Sequence, residues 1–418
     1  MNKLRKKFNF LFTTDKIKIY IYTCSQVLSF LLAFLINLFF TKFADPEGYG
    51  QYKYATNFLL TVPTFFAFGI PFCCSRLIAK DNADEKHKSL TVGLYITIVL
   101  SVIVSIGLSI AFLFGKLSEL SEIKLILPFS IVILAVKNLF TYVYQGTGKS
   151  NRGAAFAITQ SLIVLAGIFV GKAIFGELPF YYCIIIFVLS NLVIIIPILS
   201  RMKYRADKES FVILKDEIKN NGIKIYFSSI ITTSASSLIA LICGSQYGLE
   251  EYGYYSLAIS FARAFTLISS SMIVVKFKEN VNQKFIKKSD VLFMCALNAG
   301  IYGVFLMFGK PLFFMFFSRE YELTYKFLIV LGLAYLLDGM TLYFNRFFIA
   351  RGRGDIVVRN STITAVINIA ISVILIPKFE IQGLVFATVI SATYNFIQYV
   401  VSYLIYYKKV VNDKTEVV

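Results

Sequence analysis

The sequence predicts an all-α, polytopic membrane protein with twelve transmembrane helices in two parallel six-helix lobes. Hydrophobic residues make up 57% of the 418 residues and charged residues only 16%, and the mean hydropathy is +0.71. This composition is far from that of soluble domains. The apolar residues also fall into runs of about 20, the length that crosses a bilayer, and motifs of the first half of the chain recur in the second.

The first six predicted spans occupy the amino-terminal half. The first follows a basic amino end, and it is too long for a signal-peptide core and lacks a clear cleavage site, so we expect it to stay attached. Short charged loops separate it from the spans that follow. The six spans are 17–40, 51–75, 90–114, 123–145, 153–171 and 180–200.

The second six predicted spans follow the longest polar stretch, residues 201–222, which we interpret as a linker on the cytoplasmic surface. These spans are 223–245, 252–275, 290–309, 324–348, 356–376 and 382–406. The predicted domains are therefore an N-lobe at 1–200, the linker at 201–222 and a C-lobe at 223–418. Because the spans and their connections use nearly the whole chain, no room is left for a soluble catalytic domain.

A repeat supports the division into two lobes. IKIY occurs at 17–20 and 223–226, Tyr-Gly-x-Tyr-x-x-Ala begins at Tyr49 and Tyr252, and QGTG at Gln145 corresponds to RGRG at Arg351, with offsets of 206, 203 and 206 residues. Each copy has an even number of spans, so both enter the membrane from the same side, as in transporters with parallel repeats. The QGTG segment is then a cytoplasmic turn. It does not match a phosphate-binding loop, because position 143, where that motif needs glycine, is Val143.

The charge distribution predicts the orientation. The net charge is +18. With the amino end in the cytoplasm, and with bases at span ends counted in the adjoining loops, 30 Lys and Arg lie inside, 8 outside and 4 within spans, which totals the 42 present. This bias follows the positive-inside rule. It places both termini in the cytoplasm and accounts for the basic excess without a nucleic-acid partner.

Ionisable residues near the middle of three spans are the main candidate site residues. Lys137, Arg263 and Asp338 lie about halfway along helices four, eight and ten. A charge at the bilayer centre costs about 2.5–3.5 kcal/mol on an insertion scale, so such residues usually face protein or water. One alternative is that Asp338 only neutralises Lys137 or Arg263 in a pair between helices.

Polar residues at helical spacing extend this site. Lys53 and Asn57 share one face of helix two, Ser260 lies on the face of Arg263, and Gln26 and Asn37 share one side of helix one. These stripes predict a water-filled, cationic cavity between the lobes. Such a cavity favours an anionic ligand, such as a phosphate. Lys53 and Arg346 lie nearer to span ends, and the alternative for them is snorkelling to the interface.

Three motifs carry a family resemblance. Tyr-Gly-x-Tyr-x-x-Ala opens helix two, FGIPFCCSRLIAK closes it, and QGTGKSN follows helix four. With the twelve-helix repeat, the chain resembles the Wzx-type polysaccharide repeat-unit flippases of the multidrug/oligosaccharidyl-lipid/polysaccharide exporter superfamily. That resemblance implies a MATE-like fold in the bacterial cytoplasmic membrane.

The resemblance also implies a function. A flippase of this type moves an undecaprenyl-diphosphate-linked oligosaccharide between leaflets by alternating access, for O-antigen or capsule assembly. Its substrate-binding residues would be Arg263, Lys137, Lys53, Asn57, Gln26 and Ser260, with Asp338 in ion coupling. Membrane lipids and a polysaccharide polymerase are the other expected partners, and no cofactor or metal is expected. The alternatives are a drug or small-molecule exporter and, as an enzyme, a membrane polymerase or ligase of lipid-linked sugars.

Overall fold

The structure is a computed structural model that describes residues 14–79, 83–114, 118–146, 150–199, 208–223, 226, 235–267, 269, 285–351 and 353–412. Within these ranges the regular elements are helices. The α-helices are α1 Thr14–Phe43, α2 Pro46–Phe65, α3 Ile70–Ala79, α4 Ala83–Leu113, α5 Leu127–Gly146, α6 Ser150–Phe175, α7 Phe180–Leu199, α8 Lys208–Glu217, α9 Ala235–Tyr247, α10 Leu249–Ala262, α11 Lys288–Phe316, α12 Glu322–Ala350 and α13 Gly354–Asn412.

Helices of membrane-spanning length confirm the predicted fold class. Among the described residues, six helices are long and apolar enough to cross a membrane, or seven if the bent pair α2 and α3 forms one span. The long α13 covers two predicted spans and breaks at Glu380, where φ is 53 and ψ is −132. The total of twelve stays a prediction, because parts of the predicted spans 223–245 and 252–275 lie outside the described residues.

The two halves of α13 run antiparallel. Asn360 donates to the Ser402 hydroxyl at 3.0 Å and Asn368 to the Ser391 hydroxyl at 2.9 Å, so the partner number falls as the chain number rises. Such amide and hydroxyl bonds are a common means of joining helices in lipid. The element is therefore a helical hairpin, as the two predicted spans require.

Contacts between Cα atoms divide the chain into two compact units, 1–241 and 242–418. The core of unit 1 includes α3, α4 and α5, and a core of unit 2 lies between α12 and α13. The predicted lobe limits stay a prediction. The structure adds that the described part of the predicted linker, which begins at Lys208, belongs with unit 1.

The repeated Tyr-Gly-x-Tyr-x-x-Ala motif has the same position and burial in both units. It lies in the first turns of α2 and of α10. Its two tyrosines and its alanine are buried in each copy, so the spacing that the two copies share places the same side chains in each core. Both helices also carry acidic residues in their first turn, which interact favourably with the helix dipole.

The second predicted span, 51–75, is a broken helix. α2 ends at Phe65, α3 begins at Ile70, and the two are bent by 67°. Between them Phe68 and Gly69 take left-handed φ values of 44 and 75, which interrupt a right-handed helix. Hydropathy alone predicted one continuous span because both pieces are apolar.

An amphipathic segment, residues 208–223, docks on this break. It consists of α8 and a following π-helical turn, Ile218–Gly222. Leu214 is fully buried and belongs to the same hydrophobic cluster of unit 1 as Cys73 and Cys74 of α3. The backbone of Gly222 approaches Gly69 so closely that a Cβ added to Gly69 would lie 2.5 Å from the Gly222 carbonyl oxygen.

Polar contacts hold the chain around the break on both sides. On the α3 side, Arg76 Nη1 lies 3.2 Å from Glu217 Oε1. On the α2 side, the Tyr226 hydroxyl donates to the carbonyl of Phe65, the last residue of α2, and the Tyr226 and Phe68 rings are 5.3 Å apart. Glu217 and Tyr226, which precede the second half of the protein, thus contact α3 and α2 respectively.

Candidate functional site

In unit 1, Lys137 of α5 contacts Gln160 of α6. Lys137 is half-buried, and its Nζ donates to Gln160 Oε1 at 2.8 Å. Lys137 lies ten positions before residue 147 and Gln160 lies eleven positions after residue 149, about 15 to 17 Å at the rise of an α-helix. This distance is about half the thickness of a hydrocarbon core, which is about 30 Å. The depth of Lys137 in the membrane stays a prediction, and its hydrogen-bond partner is an uncharged amide.

Lys53 and Asn57 lie one turn apart on α2, and both are half-buried. Lys53 Nζ lies 5.4 Å from the centroid of the Tyr49 ring, within the range of a cation–π interaction. Tyr49 belongs to the repeated motif and is buried. The Lys53 ammonium therefore contacts a ring that the core holds in place. The contact lies in the amino-terminal half of α2.

Gln26 and Asn37 are the two polar residues that were predicted to share one side of helix one. Gln26 lies on α1, but its side chain is outside the described part of the structure. Asn37 is buried, and its Oδ1 accepts from the Tyr49 hydroxyl at 3.1 Å. We therefore correct the expectation that Asn37 faces a cavity: it satisfies a buried tyrosine hydroxyl, as a buried polar group requires.

In unit 2, Arg263 directly follows the last residue of α10. Its amide donates to the Ile259 carbonyl at 3.1 Å, while its own carbonyl accepts from Thr266 only three residues on. The regular α-helix is therefore interrupted within the predicted span 252–275. The Arg263 side chain is exposed, and it interacts with the hydroxyl of Tyr335, near the middle of α12.

Asp338 lies one turn after Tyr335 on α12 and is half-buried. Within the described part of the chain it forms no hydrogen bond or ion pair. The alternative in which Asp338 neutralises Arg263 or Lys137 is therefore not the arrangement in this structure.

Ser260 lies one turn before Arg263 and is half-buried. Its hydroxyl donates to the Ser256 carbonyl at 2.8 Å, a bond within the helix that serine often forms. Its donor is thus used, while its lone pairs stay available as acceptors. Ser260 can accept from a sugar hydroxyl but has no proton to donate to a phosphate in this rotamer.

Gln160 is the site residue that sequence reasoning missed. It is an amide within an otherwise apolar span, 153–171, and that polarity was the available signal. Its contact with Lys137 depends on which face of α6 packs against α5. The ring contact between Tyr144 and Phe156, 5.2 Å between centroids, shows the same antiparallel pairing nearer the turn.

Comparisons with known proteins agree with the predicted resemblance. Residues 17–277 match the family of polysaccharide biosynthesis proteins. The chain is 22% identical over 424 residues to the capsular polysaccharide biosynthesis protein CapF of Staphylococcus aureus, covering 97% of this chain and 99% of CapF.

Solved structures share the fold. The lipid II flippase MurJ in an inward closed conformation has a TM-score of 0.74 at 16% identity, over 92% of this chain and 87% of MurJ. An inward-facing multidrug resistance MATE family transporter of the MOP superfamily has a TM-score of 0.69 at 13% identity, over 92% of this chain and 96% of that one. The predicted MATE-like architecture is therefore confirmed. Because the family match covers more than half of the sequence, the chain belongs to the polysaccharide biosynthesis protein family.

Proposed function

We propose that this protein is a flippase that moves undecaprenyl-diphosphate-linked oligosaccharide repeat units across the bacterial cytoplasmic membrane, for capsule or O-antigen assembly. The observation that carries the proposal is that Lys137 and Arg263, in a transporter fold, interact with uncharged partners. Their charges are thus available to a diphosphate, which arginine in particular grips through two parallel hydrogen bonds.

Two similar proteins support this substrate class. CapF is a capsular polysaccharide biosynthesis protein, and MurJ is a lipid II flippase. Transport then requires that the two lobes open alternately around bases from both, with Lys53, Asn57, Gln26 and Ser260 contacting the sugars or phosphates. Asp338, as the carboxylate near Arg263, takes part in ion coupling.

The alternatives fit less well. An exporter of cationic drugs needs acidic groups at its binding site, whereas the predicted spans carry Asp338 against four bases. A polymerase or ligase needs catalytic groups outside the membrane, and the fold is instead that of flippases and transporters.

Deletion of the gene tests the function. The lipid-linked repeat units should accumulate in the inner leaflet, and surface polysaccharide should disappear, because synthesis continues while transfer stops. Accessibility of the lipid-linked sugar to an impermeant oxidant, compared before and after permeabilisation of the cells, measures the leaflet. A wild-type copy on a plasmid is the control. Normal surface polymer in a deletion strain with no second flippase would refute the proposal.

The proposed orientation has its own test. A reporter fused after Val418 should be cytoplasmic, and one inserted near Glu250 should be external, because 30 of the basic residues fall on one side and 8 on the other. Paired alkaline phosphatase and fluorescent protein fusions report the two sides. An external carboxyl terminus would contradict both the number of spans and the two-lobe arrangement.

A further inference from the structure

We infer that Gln160 is a positioning residue of the substrate site, which orients the Lys137 ammonium without cancelling its charge. The inference rests on the proposed function, since it assumes that Lys137 meets an anionic group of the substrate. It adds a residue and a principle of selectivity: Lys137 and Arg263 interact with neutral groups, so that their positive charges are balanced by the anionic substrate.

The geometry of unit 1 shows what Gln160 does. Its Oε1 accepts one proton of the half-buried Lys137 ammonium at 2.8 Å. An ammonium has three donors, so two are left for another acceptor. Gln160 Oε1 is the one acceptor recorded for the Lys137 ammonium among the described residues, while the nearby Thr141 hydroxyl donates to the Lys137 carbonyl at 3.0 Å. The amide thus limits the cost of burying an ammonium and fixes its direction.

The choice of an amide rather than a carboxylate determines the charge of the site. A Glu at this position would form an ion pair with Lys137, and the pair would have almost no net charge toward an incoming anion. Among the described residues, no carboxylate pairs with Lys137 or with Arg263. Asp338 is one turn from Tyr335, yet it too is unpaired.

Unit 2 repeats the arrangement with different side chains. Arg263 interacts with the hydroxyl of Tyr335, again an uncharged group on the helix that packs beside it. A guanidinium has five donors, so one phenolic contact leaves an edge for a bidentate phosphate. Two bases of different chemistry, in two separate units, thus share the same kind of partner, which supports selection for uncancelled charge.

The test compares three variants of the full chain in the deletion strain, expressed at low level. In Gln160→Glu, transport per molecule should fall by about tenfold or more because the lysine charge is neutralised, while membrane abundance stays unchanged. In Gln160→Met, transport should fall by about threefold to tenfold, the effect expected for losing one hydrogen bond while the charge remains. Gln246→Glu, the same change at an exposed position near the end of α9, should transport normally.

A merely structural role for Gln160 predicts the opposite order. Glutamate would keep the bond to Lys137 and would be tolerated, whereas methionine would lose it and reduce abundance. Normal transport by Gln160→Glu, beside an inactive Lys137→Ala, would overturn the inference and leave the proposed function intact. Normal transport by Lys137→Ala would overturn the inference together with the proposed role of Lys137. The flippase proposal itself fails only on the deletion phenotype.

One further variant covers the case in which Gln160→Glu does not reach the membrane. Lys137→Gln combined with Gln160→Lys exchanges the two side chains and keeps one positive charge beside one amide. Transport by this double variant above that of Lys137→Gln alone supports the inference. Equal inactivity of the two at normal abundance overturns it.

Discussion

Arg263→Ala should abolish transport without lowering the amount of protein in the membrane. The side chain is exposed and interacts with a neutral hydroxyl, so its removal leaves no buried carboxylate that has lost a partner. Truncating one side of a charged, hydrogen-bonded contact typically costs about 2–5 kcal/mol, which is more than about thirtyfold at 1.4 kcal/mol per tenfold. Arg263→Lys should keep part of the activity, because the charge remains while the planar fork is lost.

The measurement is surface polysaccharide and membrane abundance for Arg263→Ala, Asp338→Asn and the double variant. If Asp338 did neutralise Arg263 during the cycle, the alanine variant would lose abundance and Asp338→Asn would restore it. Full transport by the double variant would show that Arg263 does not bind substrate. Arg346→Ala is the matched control, because Arg346 is an exposed base near the carboxyl-terminal end of α12, and this variant should transport normally.

The helices could be predicted because their signals are local. Apolar runs of sufficient length are visible within the sequence window that forms each helix, and the tyrosines of the repeated motif are buried alike in α2 and α10. The break between α2 and α3 could not be predicted in this way. It lies at Phe68 and Gly69, whose left-handed φ values interrupt the helix, and hydropathy carries no information on backbone conformation.

The candidate site residues could be selected by their predicted depth and charge, but their contacts could not be predicted. Counting along spans identified Lys137, Arg263 and Asp338, because a charge in a long apolar run is conspicuous. Gln160 carries no charge, and its role follows only from the rotation of α6 against α5. The expectation that Asn37 faces a cavity was wrong for the same reason, because the contacts of a helix face cannot be read from the sequence. Its Oδ1 instead accepts a hydrogen bond from the buried Tyr49 hydroxyl.

Gly69→Ala should strongly destabilise the protein. Gly69 has a φ of 75, and a left-handed conformation costs a residue with a Cβ about 1–2 kcal/mol. The added Cβ would also lie 2.5 Å from the Gly222 carbonyl oxygen and 2.9 Å from its carbon. These are backbone atoms that cannot turn away by changing a rotamer, and forcing extra volume into a packed site adds about 1–3 kcal/mol.

The two effects together amount to about 2–5 kcal/mol, a large part of the 5–15 kcal/mol that stabilises a typical domain. The thermal midpoint of detergent-solubilised protein, followed by size-exclusion chromatography after heating, should therefore fall by several degrees or more, and membrane abundance should fall with it. Gly107→Ala is the control, because its added Cβ would meet no atom within 4 Å and alanine favours a helix. If both variants melted at the wild-type temperature, the segment 208–223 would not be docked on the break as the structure has it.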